Sequence, residues 1–128
     1  MVMLDQKKRY LQIAFNYDVG LVRRILPTIV PSERILIEAG TPYIKREGLA
    51  GIHAIRRLWR GHVVADLKTS DGAIGEVDMV RSAGATAATV LGSSPPEALN
   101  LFIARCAQLG ICLLYTSDAA DEGLGVDL

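Results

Sequence analysis

Asp66, Lys68 and Asp71 stand close together in the stretch Val63-Val64-Ala65-Asp66-Leu67-Lys68-Thr69-Ser70-Asp71. Strand side chains alternate between faces, so Asp66 and Lys68 share the face of Val64. A carboxylate and an ammonium two residues apart hold each other ionised. They also set a cation beside an oxygen donor of the kind that hard metal ions take. Asp71 falls just beyond the strand, in the loop. Alone, the pattern also describes a surface ion pair of nearly neutral energy. The neighbouring runs add to it. Leu36-Ile37-Glu38-Ala39-Gly40-Thr41-Pro42 closes an apolar strand with a glutamate, which is costly in an interior unless a cation or metal faces it. The first apolar run carries Gln12, Ala14 and Asn16 on one parity.

The elements that must position these residues alternate along the chain. Strands are expected at Tyr10–Phe15, Arg34–Ala39, His62–Leu67 and Ala87–Leu91, with a fifth starting over Ile111–Leu114. Between them, Asp18–Ile29 carries Val19, Val22, Ile25, Leu26 and Ile29 at helical spacing, with Asp18 as N-cap and Pro27 and Pro31 ending or distorting it. A second helix spans about Tyr43 to Arg60 with Ile52, Ile55 and Leu58 or Trp59 inward, closed by Gly61 as C-cap. A third runs from Ile74 to Ala83, with Val77 and Val80 facing in. Pro95 and Pro96 open a fourth, with Leu99, Phe102, Ile103 and Cys106 on its stripe.

A strand–helix period of roughly 25 residues argues for an α/β fold of parallel βαβ units. A doubly wound sheet would want a glycine-rich phosphate turn after strand one, and Phe15-Asn16-Tyr17-Asp18-Val19-Gly20 offers none. Polar residues at the C-terminal ends of successive strands suit a (β/α)8 TIM barrel instead. Four and a half units are present where a barrel of typically ~250 residues needs eight, so the expectation is its N-terminal half.

Leu11-Gln12-Ile13-Ala14-Phe15-Asn16, Ile37-Glu38-Ala39-Gly40-Thr41-Pro42 with Ile44-Lys45-Arg46-Glu47-Gly48, and Ala65-Asp66-Leu67-Lys68-Thr69-Ser70-Asp71 resemble the first three strand ends of the orotidine-monophosphate decarboxylase superfamily. The resemblance is strongest to its 3-hexulose-6-phosphate synthase and 3-keto-L-gulonate-6-phosphate decarboxylase branch. Ala83-Gly84-Ala85 and Thr89-Val90-Leu91-Gly92 fit strand four of that group, and the likeness covers about residues 8 to 111. The pyrimidine decarboxylase has a lysine where Glu38 stands and needs no metal, so Glu38 places the chain nearer the Mg²⁺-dependent branch.

That resemblance implies Mg²⁺ held by Glu38 and Asp66, and Lys68 stabilising the oxygen of an enediolate. Asp66, Lys68 and Asp71 would be the catalytic residues, with Asp71 reaching the site of a neighbouring subunit in a homodimer, and Asn16, Glu38 and Thr41 would face the substrate. The implied reaction joins formaldehyde to D-ribulose 5-phosphate. Decarboxylation of 3-keto-L-gulonate 6-phosphate, or of orotidine 5'-phosphate, is the alternative, and the Thr41–Gly48 stretch leans towards the synthase. A non-catalytic barrel that binds a sugar phosphate is the alternative of another class. Asn16 departs from the pattern, since both enzymes of the branch usually have an aspartate there. An amide can hydrogen-bond a substrate hydroxyl but cannot act as a base. Asp18, two residues on, is a substitute for it if the loop adjusts, and serves equally as a helix cap.

Acids and bases are equal at 14 each. Asp118, Asp121, Glu122 and Asp127 fall after Cys112, where no Lys or Arg occurs, so the remainder is mildly positive, as suits a phosphorylated substrate. Cys106 and Cys112 form no metal motif and read as buried thiols of a cytoplasmic protein. No run is long enough to span a membrane, and the N-terminus lacks the order of a secretory signal. Lys45, Arg46, Arg56, Arg57 and Arg60 read as the solvated face of an outer helix, not as a nucleic-acid surface. His62 and His53 lie away from the chemistry, and Gly123-Leu124-Gly125 lacks the strand and helix that a phosphate loop needs. The domain is expected over residues 1–111. Residues 112–128 resemble a translated adapter sequence appended to a truncated gene, and a chain of this length is expected to show no activity alone.

Overall fold

A computed structural model describes residues 3–116. The elements are β1 (Leu11–Phe15), α1 (Val19–Ile25) with a 3-10 turn at Leu26–Thr28, β2 (Ile35–Ala39) and α2 (Thr41–Leu58), followed by β3 (Val63–Thr69), α3 (Ala73–Ser82), β4 (Ala87–Leu91), α4 (Pro96–Leu109) and β5 (Cys112–Thr116). All five strands are parallel, in the order β1-β2-β3-β4-β5. Among the described residues the order never reverses, so they contain no switch point of a doubly wound sheet. It is the order of consecutive barrel staves.

Alternation divides the sheet as the sequence implies. Ile37, Ala39, Val63, Ala65, Ala88 and Val90 pack with the helices in the main core. Leu36, Val64, Ala87, Cys112 and Leu114 form a smaller cluster on the other face, which also bears Glu38 and Asp66. Cys106 and Cys112 are both buried, one in each cluster. Burial, and the neighbouring Cys112, push the Cys106 thiol up to about 12, so it is an inert packing residue.

Several boundaries differ from expectation for local reasons. Asp18 caps α1 by accepting from the Leu21 amide at 2.9 Å. Pro27 then converts the last turn to 3-10 geometry, which leaves Leu26 buried and Ile25 exposed. Ile103 is also exposed, one helical step of about 100° from buried Phe102. Gly61 does not cap α2. The helix ends at Leu58, with the extended Trp59 as C-cap. Gly61 serves for closeness, since a Cβ there would lie 2.8 Å from the Trp59 indole nitrogen. Nor is Arg56 solvated. It is half-buried and donates to the carbonyls of Trp59, of Gly61 at 2.7 Å and of Gly84 at 3.3 Å, tying the end of α2 to the turns before β3 and before β4. His62, just ahead of β3, contacts the Thr86 hydroxyl at 2.8 Å, away from the acidic strand ends. The expected boundary between residues 111 and 112 falls at the start of β5, whose five residues pair with β4. Residues 117–128 lie outside the described residues. Among those described, no helix is long and apolar enough to cross a membrane.

Candidate active site

Asp66 is 6% exposed near the end of β3, among polar groups supplied by three neighbouring segments. One carboxylate oxygen accepts from the Lys68 ammonium at 2.5 Å, and the other from the Thr89 hydroxyl on β4 at 2.7 Å. Lys68 also donates to the Thr41 hydroxyl at 2.9 Å, and that hydroxyl passes its own proton to the Asp66 carbonyl at 2.7 Å. Each threonine hydroxyl thus donates once and accepts once.

β3 does not stay regular as it approaches Lys68. The pairing of β3 with β4 shifts register between Ala65 and Thr69, and Lys68 has φ 48°, a left-handed conformation that costs a side-chain residue roughly 1–3 kcal/mol. Such bulges re-aim side chains at sheet ends. The Lys68 amide donates to the Thr89 hydroxyl at 3.0 Å, so Thr89 satisfies the bulge and the carboxylate together. Thr89→Val, nearly isosteric, would orphan a backbone N–H and one Asp66 oxygen. The urea midpoint should fall by the equivalent of about 2–3 kcal/mol, whereas Thr89→Ser should stay near the parent.

Glu38 reaches the same place from β2. Gln12 on β1 donates to it, and it interacts with both Asp66 and Lys68. Its carboxyl is pushed up to about 7, chiefly by burial; the Gln12 hydrogen bond and the Lys68 ammonium oppose the shift, and the Asp66 charge adds to it. Two carboxylates that resist joint ionisation, with a single ammonium beside them, have the donor chemistry for a further cation. No group of three or more Asp, Glu, His or Cys side chains is gathered for a metal among the described residues, so a cation here would draw on two carboxylates.

The structure therefore brings Glu38, Thr41, Asp66 and Lys68 together. Asn16 stands exposed at the end of β1, its amide lying against Gly40: a Cβ on Gly40 would come within 1.7 Å of the Asn16 oxygen and 2.9 Å of the Phe15 carbonyl. Asp71 is exposed in the loop between β3 and α3. Gln12 and Thr89 were not singled out from the sequence as site residues. The signal was a polar residue at a buried parity, and Thr89 has no exposed surface at all.

Residues 10–123 match the profile of the "Orotidine 5'-phosphate decarboxylase / HUMPS family". The chain is 39% identical over 104 residues to a "Bifunctional enzyme Fae/Hps" of Methanothrix thermoacetophila, covering 80% of this chain and 26% of that protein. It superposes on a 3-hexulose-6-phosphate synthase from Salmonella typhimurium with a TM-score of 0.77 and 29% identity, over 83% of this chain and 51% of that one. A 3-keto-L-gulonate-6-phosphate decarboxylase from Vibrio cholerae gives a TM-score of 0.78 at 22% identity, over 89% and 56% of the two chains; at that identity the likeness bears on the fold alone. The fold is thus that of consecutive TIM-barrel units, and the chain spans about half the length of these solved relatives.

Proposed function

Since the chain belongs to the orotidine 5'-phosphate decarboxylase / HUMPS family, we propose that it supplies one half of the active site of a Mg²⁺-dependent lyase joining formaldehyde to D-ribulose 5-phosphate to give 3-hexulose 6-phosphate. The observation that carries this reading is the convergence of Glu38 and Asp66 beside Lys68. Glu38 and Asp66 would hold the ion, which suits hard carboxylate oxygens and would offset the opposition to their joint ionisation. When bound, Mg²⁺ supplies Lewis-acid charge that acidifies a carbon-bound proton next to a carbonyl.

The remaining work belongs to the chain's own groups. Lys68 presents a fixed ammonium where the sugar oxygen gains negative charge, and Thr41 and Asp66 hold it so that nothing reorganises during the reaction. Thr89 keeps the Asp66 carboxylate turned into the site. Asn16, exposed beside Gly40, is free in its chemistry to hydrogen-bond a substrate hydroxyl but not to take a proton. Asp71, exposed in its loop, would enter the site of a second copy in a homodimer. A decarboxylase of the same family could use these residues too; the relatives whose printed names carry Hps, at 39% identity, support the synthase.

Five parallel strands do not close a barrel, and phosphate sites in such barrels commonly lie after strands seven and eight. The 128-residue chain alone is therefore expected to turn over nothing. Residues 1–116 joined to the second half of the Salmonella typhimurium synthase should condense the two substrates and stop when the metal is chelated. A hybrid that folds but is inert, or that works equally well in chelator, would contradict the proposal, and turnover by the chain alone would contradict the need for a second half.

A further inference from the structure

Helix α2 is broken at Gly48, where φ is 66° and ψ is −156°, a conformation essentially reserved for glycine. The break sets off the segment Thr41–Glu47 from the part whose Gly51, Ile52 and Ile55 pack in the core. At its start, the Thr41 hydroxyl bridges Lys68 and the Asp66 carbonyl. At its end, the Glu47 carboxylate accepts from the Val19 amide at 2.6 Å. Val19 opens α1, so this N–H has no partner within the helix, and a negative charge there is favoured by the helix dipole. In the middle, buried Tyr43 donates to the Gly51 carbonyl at 2.7 Å across the break. A Cβ on Gly51 would lie 2.5 Å from the Glu47 Cβ and 2.9 Å from the Tyr43 ring. The segment is folded back tightly on Gly51 and tethered at both ends.

We propose that Glu47 is a positioning residue for Lys68: by fastening the end of the Thr41–Glu47 segment to the start of α1, with Gly48 supplying the turn, it holds the Thr41 hydroxyl against the ammonium. The arrangement also links the loop bearing Asn16 to the Thr41–Glu47 segment, since the Arg46 guanidinium lies 4.7 Å from the centre of the Tyr17 ring. The consequence for catalysis rests on the lyase reading; the placement of Lys68 does not.

Competitive reductive methylation of the 128-residue chain, read by peptide mass spectrometry, separates the two. Glu47→Ala should raise the labelling rate of Lys68 about tenfold, the worth of one charge-assisted hydrogen bond, while Lys7, Lys8 and Lys45 keep theirs. Glu47→Gln, whose carbonyl can still accept from Val19, should restore most of the protection. Gly48→Ala should resemble Glu47→Ala, and through the backbone alone, because a Cβ there meets nothing within 4 Å. Lys68 labelling unchanged in both alanine variants would overturn the proposal. So would equal failure of Gln and Ala, or a rise shared by all the lysines, which marks general loosening. None of these results depends on turnover, so an inert hybrid barrel would count against the lyase reading only.

Discussion

Lys68→Met is expected to lower turnover of ribulose 5-phosphate and formaldehyde in the hybrid barrel by about 10³-fold, with most of the loss in kcat. An ammonium held at the oxygen where charge develops acts in the transition state more than in the ground state, and removing one such donor costs on the order of 10²–10³ in kcat. The upper end applies because the ammonium carries a full charge and is already fixed by Asp66 and Thr41. The same change leaves the Asp66 carboxylate, 6% exposed, without its counter-ion. Breaking a buried pair from one side costs about 3–5 kcal/mol, so the urea midpoint should fall too. Lys68→Met/Asp66→Asn removes both charges and should recover stability without recovering activity. A double variant as unstable as the single one would show that the bulge at Lys68, not the ion pair, sets the cost.

The second large effect concerns Glu38. Its carboxyl has an ordinary value of 4.5 and is pushed up to about 7 in the folded chain, mainly by burial. The folded state then holds the proton more tightly than the unfolded state. This group's contribution to stability is therefore greatest below about pH 4.5 and declines as pH rises to about 7, by on the order of 3 kcal/mol. Glu38→Gln removes that slope. In chelator, the variant should gain on the parent across this window and be the more stable protein at about pH 8. Urea titrations across the window check this, and parallel profiles for the two proteins would contradict it. Adding Mg²⁺ should reverse the order by stabilising the parent more than the variant, because an ionised Glu38 is a stronger ligand than the neutral amide.

The elements, and the sharing of one face by Asp66 and Lys68, were legible from the sequence because both follow from periodicity; the convergence of Glu38 on Asp66 was implied by the family resemblance. Apolar residues spaced by two, ended by a carboxylate, specify a buried strand with a charged mouth, and register follows when one face is buried. The means by which Lys68 arrives was not legible. Regular alternation alone would have put it beside Asp66, yet the strand has a bulge there, satisfied by a threonine on the next strand. A threonine in Ala87-Ala88-Thr89-Val90-Leu91 reads as ordinary strand composition. Only the pairing of β4 with β3 shows that its hydroxyl faces a carboxylate.

Glycine misled in both directions. Gly61 follows a helical run and reads as a cap, but it is present to make room for Trp59. Gly48, inside the run, carries the conformation that breaks α2. Composition cannot tell a glycine chosen for space from one chosen for φ. Arg56 reads as solvated with its basic neighbours because nothing local shows that three carbonyls converge on it. The acidic stretch after Thr116 lies outside the described residues.

The central claim is that Glu38 and Asp66 share one divalent cation beside Lys68. Calorimetric titration of Mg²⁺ into the chain, repeated in buffers of different ionisation enthalpy, tests it most directly. One ion should bind per chain with release of a proton at a pH below about 7, and Glu38→Gln and Asp66→Asn should each weaken binding by at least about tenfold. No binding by the parent, or equal affinity in the parent and both variants, would contradict it.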